Sequence, residues 1–102
     1  MTIPTQIVLQ VLLQDPAREL YGLEIGQSAG LASGTVHPIL ARLEALGWLE
    51  SHWEDVDTRA VGRPARRYYR LTAGGITAAR QALARAYRAG PARRVVPAPG
   101  QA

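Results

Sequence analysis

Residues 33–51 read SGTVHPILARLEALGWLES, and two periodicities meet inside this stretch. Val36, Ile39, Leu40, Leu43 and Leu46 recur at steps of three and four, which places them on one face of a helix that stops at Gly47. From Trp48 the period drops to two, with Leu49, Ser51 and Trp53 on one side and Trp48, Glu50, His52 and Glu54 on the other. That alternation predicts a half-buried strand. The start of the helix has two readings. Thr35 as N-cap keeps Pro38 in the first turn, where a missing N–H costs nothing, and Ser33 as N-cap implies a kink.

Upstream, Ile3, Ile7, Val8, Val11 and Leu12 predict a helix over about residues 4–14, ended by Asp15-Pro16. Leu9 and Leu13 fall on another side of it, so the helix is apolar around more of its circumference than one small core needs; a second subunit would cover the excess. Tyr21, Leu23, Ile25 and Ala29 mark a shorter helix closed by Gly30, after which Leu31 folds back toward Ile25.

Downstream, Arg66 to Leu71 alternates as a second strand. Asp55 to Ala65, with Gly62 and Pro64, is too long for a tight hairpin and predicts a loop reaching beyond the sheet. Thr72 caps a last helix of about residues 73–89, with Ile76, Ala79, Leu83 and Ala86 or Tyr87 on its apolar side. The remainder, residues 90–102, is rich in proline, alanine and glycine and reads as a disordered tail.

Helix, helix, turn, helix, strand, long loop, strand, helix is the order of a winged helix-turn-helix. The expected fold is mainly α with a small two-stranded antiparallel β wing. Residues 1–72 are expected to form the DNA-binding unit, followed by a separate C-terminal helix over 73–89. In this architecture the third helix enters the major groove, about 12 Å wide. Its tip here is small and polar: Ser33, Gly34, Thr35 and His37 can bring amides, hydroxyls and an imidazole to phosphates and base edges, and Arg42 lies near Thr35 in angular position. The hairpin adds Arg59, Arg63, Arg66, Arg67 and Arg70, preceded by Glu50, Glu54, Asp55 and Asp57. Arg63, Arg66 and Arg67 are the candidate phosphate contacts; the alternative is a solvated hairpin salt-bridged within itself. Trp53 and Tyr69 read as core residues rather than bases for stacking single strands.

Composition narrows the function classes. The 102 residues carry a net charge of +4, and all twelve basic residues are arginine. There is no cysteine, which removes disulfides, thiolate metal sites and cysteine nucleophiles, and fits a cytoplasmic setting. His37 and His52 have no metal-ligand spacing, Ala73-Gly74-Gly75 is not a phosphate-binding loop, and no nucleophile elbow occurs. The chain therefore calls for no cofactor, no metal and no catalysis, and no run of apolar residues predicts a membrane span.

YGLEI at 21–25, SGTVHPILARLEALGWLES at 33–51 and GRPARRYYRLTAGG at 62–75 together resemble the PadR-like transcriptional regulators, over about residues 4–88. The resemblance implies a three-helix core that binds double-stranded DNA, a two-stranded wing, a C-terminal helix that pairs two subunits, and repression of a nearby promoter. It also implies release by a small hydrophobic or aromatic effector. The expected dimer interface comprises Leu9, Leu13, Ile76, Leu83 and Tyr87. Members of the family usually carry tyrosine where this chain has His37. The competing expectation is a winged-helix module that binds another protein.

Overall fold

The computed structural model describes residues 1–95, with side chains through residue 88. Helix α1 spans Ile3–Gln14, strand β1 Leu20–Tyr21, α2 Gly22–Ala29, α3 Ser33–Ala45, β2 Leu49–Trp53, α4 Thr58–Val61, β3 Arg67–Leu71 and α5 Ala73–Val95. The sheet has three antiparallel strands in the order β1-β3-β2, one more than the sequence predicts. The extra strand escapes sequence reading because two residues carry no alternation. Leu20 and Tyr21 join the sheet only by pairing with Tyr69 and Tyr68 of the distant β3.

The core lies between the helices and the inner face of this sheet. Val8, Leu9, Ile25, Val36 and Leu40 are fully buried at its centre, with Leu12, Ile39, Leu43, Leu49, Tyr69, Leu71 and Ala79 around them. Helix α1 buries Thr5, Val8, Leu9, Val11 and Leu12, a face rotated from the expected stripe. Ile3 is exposed and Ile7 half-buried. Thr5 tolerates burial because its hydroxyl bonds the Thr2 hydroxyl at 2.9 Å, while Thr2 caps the helix. Leu9 accordingly faces the centre of its own subunit. Its exposure is 0%, so it offers nothing to a second chain and is withdrawn as an interface residue.

Helix α5 starts as expected. Thr72 Oγ1 accepts the Gly75 N–H at 2.9 Å and donates to the Gly47 carbonyl at 2.8 Å, which ties the helix to the turn after α3. Gly75 is buried, and an added Cβ would overlap the Trp48 carbonyl; the second glycine of Ala73-Gly74-Gly75 exists for this backbone approach. The helix then continues to Val95, past the expected end at residue 89. The Gly90-Pro91 pair reads as a stop in the sequence. A proline removes a single hydrogen bond, however, and the alanines and arginines around it are strong helix formers. The rest of the expected tail, residues 96–102, lies outside the described residues.

Candidate nucleic-acid interface

The turn between α2 and α3 is set by glycines. The Glu24 carboxylate accepts the Tyr21 backbone N–H at 3.1 Å and fixes the start of α2. Gly30, at φ 70°, ends it in the left-handed conformation, with its N–H bonded to the Gln27 carbonyl and the Leu31 N–H to that of Gly26. Gly26 has the Leu31 carbonyl 3.0 Å from where a Cβ would stand, so the turn folds back on α2 as closely as backbone allows.

Helix α3 begins at Ser33 with Ala32 as N-cap. Neither expected cap holds: Ser33 and Thr35 both lie inside the first turn, and no side chain caps the helix. Pro38 consequently falls in the second turn, and the Gly34 carbonyl loses the hydrogen bond that residue 38 would otherwise donate. Ser33, Gly34, Thr35, His37 and Pro38 are exposed, whereas Val36 points into the core. At 100° per residue, the face opposite the core carries Gly34, Pro38, Ala41 and Ala45. Thr35 and Arg42 flank it on one side and His37 on the other. The His37 ring lies against Gly22 at the start of α2. Arg42 borders a groove with Met1, Thr5, Leu46 and Trp48, apart from the other site candidates, and has no ion pair among the described residues.

The wing is β2, the α4 turn and β3, closed at its neck by Glu54. The Glu54 carboxylate accepts both Arg63 terminal nitrogens, at 2.7 and 3.0 Å, and the Arg66 backbone N–H at 3.2 Å; its own N–H donates to the Arg66 carbonyl at 2.7 Å. The Arg63 guanidinium holds the Glu54 carboxyl down at about 2. Arg63 is thereby committed to an internal pair, which is the self-bridged arrangement for this residue. Further along, Arg70 pairs with Glu50 at 3.1 Å and His52 Nε2 lies 2.8 Å from Glu19 on the outer face of the sheet.

Arg66 and Arg67 are held differently. The Arg66 guanidinium stacks 4.2 Å from the Tyr21 ring centroid and has no carboxylate partner among the described residues. Arg67 lies 5.2 Å from the Trp53 ring centroid and 3.6 Å from Glu44 on α3, which also accepts the Ser51 hydroxyl. Trp53 is not a core residue: it is 63% exposed. Its strand face is the inner one, with Leu49 buried and Ser51 half-buried, but the helices no longer cover the sheet at its end. Alternation assigns a face, and only packing says where that face runs out.

These groups border one cleft of about 340 Å³ between α3 and the wing, lined by Tyr21, Gly22, Leu23, His37, Trp53, Arg66, Arg67 and Tyr69. The structure thus brings His37, Arg66 and Arg67 together and leaves Arg63 and Arg42 outside. Sequence reading missed Tyr21 and Trp53 as arginine supports and Glu54 as the wing clasp. The acids preceding the arginine cluster were the available signal for the clasp.

On α5, Ile76 and Leu83 are half-buried and Tyr87 is 77% exposed. They follow one another at steps of seven and four, a single ridge along the helix flank. Leu13 on α1 is partly buried against the core. Among the described residues no group of three or more His, Asp or Glu is placed to hold a metal ion, and no helix is long and apolar enough to cross a membrane.

Compared with solved structures, the chain is similar to a PadR family transcriptional regulator from Eggerthella lenta, with 29% identity, a TM-score of 0.64, and coverage of 80% of this chain and 72% of that one. The PcaV transcriptional regulator from Streptomyces coelicolor, solved with its natural ligand, shares 26% identity at a TM-score of 0.71, covering 99% of this chain and 65% of that one. Overoxidised AbfR bound to DNA shares 27% identity at a TM-score of 0.63, covering 84% and 57% respectively. No curated protein matches the chain. Residues 8–81 match the transcriptional regulator PadR-like family. With that match over most of the chain and the winged helix laid out above, this protein belongs to the PadR-like family of transcriptional regulators.

Proposed function

We propose that this chain is a sequence-specific double-stranded DNA-binding regulator that works in the cytoplasm as a homodimeric repressor. The observation that carries this reading is the exposed first half of α3 set across a cleft from Arg66, stacked on Tyr21 with no carboxylate partner among the described residues, and Arg67, which lies over Trp53 and shares a long 3.6 Å pair with Glu44. The first turns of α3 present Ser33, Gly34, Thr35 and His37 to the major groove. His37 donates to a base edge or phosphate, and the bare Gly34 allows close approach. Arg66 and Arg67 hold flanking phosphates, and Arg42 reaches the backbone on the other side of α3. Arg63 acts indirectly, by keeping the wing closed on Glu54.

The ridge of Ile76, Leu83 and Tyr87, with Leu13 beside it, pairs two subunits about a two-fold axis. The two α3 helices then sit about 34 Å apart over an inverted repeat. A small hydrophobic or aromatic effector that changes this spacing would release the operator. The DNA-bound and ligand-bound neighbours support these steps by likeness of fold.

The deciding experiment is a gel shift across a salt series. It uses duplex from upstream of the protein's own coding sequence, with random duplex of equal length as competitor. Preference for the upstream duplex is expected. Absence of any shift at low salt would instead favour a protein-binding winged helix.

A further inference from the structure

The cleft between α3 and the wing combines two kinds of surface that phosphate binding alone does not require. Its lining carries the Arg66 and Arg67 guanidiniums, but also large apolar groups held open to solvent, Trp53 at 63% and Leu23 at 60% exposure, together with Tyr69 and Gly22. An indole and a leucine left uncovered on the lining of one cleft mark a contact surface rather than scattered surface residues. The guanidiniums lie over aromatic rings, at 4.2 Å for Arg66 on Tyr21 and 5.2 Å for Arg67 on Trp53, which limits the freedom lost when an anion arrives; Arg66 has no carboxylate partner among the described residues, and the 3.6 Å contact of Arg67 with Glu44 is long enough for a phosphate to share. The cleft opens beside His37, on the flank of α3 nearest the wing.

Apolar surface bounded by two cations matches the chemistry of a nucleic-acid strand, in which a carbon-rich sugar lies between two phosphates. We propose that this cleft seats one sugar–phosphate strand of the duplex, with the Trp53 indole against a deoxyribose and Arg66 and Arg67 on the adjoining phosphates. Trp53 is then a direct, uncharged DNA contact and Tyr21 a positioning residue for Arg66. The inference rests on the DNA-binding reading above and adds to it a contact made by neither the tip of α3 nor a basic side chain. An inorganic anion would use only the arginines and leave the indole exposed.

The test compares the full-length wild type with W53A, W53F and R66A on the upstream duplex, over a salt series, and measures acrylamide quenching of tryptophan fluorescence with and without DNA. W53A should weaken binding about tenfold, the scale of one buried large apolar side chain, without changing the salt slope, because an indole displaces no counterion. W53F should keep most of the affinity. R66A should lower the slope by about 1. In the wild type, DNA should shield the quenchable fluorescence that W53F lacks, and this readout stands even if W53A folds poorly. Three results would overturn the inference: W53A binding like wild type, an indole still open to acrylamide in the complex, or a W53A slope that falls with its affinity, which would make Trp53 only a support for Arg67. If the wild type itself fails to shift the duplex, the DNA-binding reading falls. Wild-type binding with an indifferent W53A sinks this inference alone.

Discussion

Gly75 shows how one atom can decide where a helix docks. The missing Cβ lets the first turn of α5 rest on the Trp48 carbonyl, while neighbouring Gly74 has open space around it. Gly75→Ala should therefore destabilise the fold by about 1–3 kcal/mol through overpacking against rigid backbone. Gly74→Ala should be neutral or slightly stabilising, since alanine is the better helix former. Urea denaturation of both variants checks the contrast. Glu54 gives a second residue-scale prediction. Its carboxyl sits at about 2 against an ordinary 4.5, so its depressed value adds stability that is fully present above 4.5. That stability is lost as the pH falls from about 4.5 to about 2, when the unfolded chain takes up the proton first. Glu54→Gln should flatten this part of the stability profile, measured as the urea midpoint at several pH values.

The wing separates two uses of arginine that composition cannot distinguish. Arg63 lies within the neck as the partner of Glu54, and Arg66 stands over Tyr21 without a carboxylate. Arg66→Ala should cut the salt slope of DNA binding by about 1. Arg63→Ala should leave the slope close to wild type and weaken binding by loosening the wing, which limited proteolysis between Asp55 and Ala65 would report. Equal slope losses in the two variants would mean that the Glu54 pair opens when DNA binds. Helix α3 carries a similar division. Pro38 interrupts the hydrogen-bond ladder on the outward face, while Val36, Ile39, Leu40 and Leu43 anchor the inward one. The helix is thus held by its buried stripe and stays open at its tip.

Across the whole molecule the charge is divided along the chain. Every acidic residue lies at or before Asp57, and after that point all charge is arginine. The sheet partly reunites the two halves by pairing Glu50 with Arg70 and Glu54 with Arg63, while Glu44 of α3 reaches Arg67. The exposed arginines of α5, Arg80, Arg85 and Arg88, find no such partner among the described residues. In the proposed dimer the apolar ridge of Ile76, Leu83 and Tyr87 would carry the pairing of two α5 helices. If α5 pairs two subunits as proposed, the wild type sediments as a dimer and Leu83→Glu as a monomer, with loss of preference for an inverted repeat over a half-site. Leu83 is only half-buried in its own subunit, so the variant should remain folded.

Much of this was legible in the sequence. The two periodicities of residues 33–51, the left-handed end of α2 at Gly30, the Thr72 cap and the length of the wing loop each have a local cause, and each appears in the structure. What the sequence could not contain is which of several equivalent options the packing selects. Helix α1 offers apolar residues on most of its circumference, and only contact with α2, α3 and α5 rotated Leu9 inward and left Ile3 outside. Strand β1 exists only because β3 is there to pair with it. The fate of Trp53, and the choice of Arg66 over Arg63 for the open cleft, were likewise settled by where the helical layer ends and by which arginine Glu54 can reach. Local propensity follows from neighbours in the chain. Burial and ion pairing depend on residues beyond the local segment, from nine positions away for Glu54 and Arg63 to 20 for Glu50 and Arg70, so only the tertiary structure decides them.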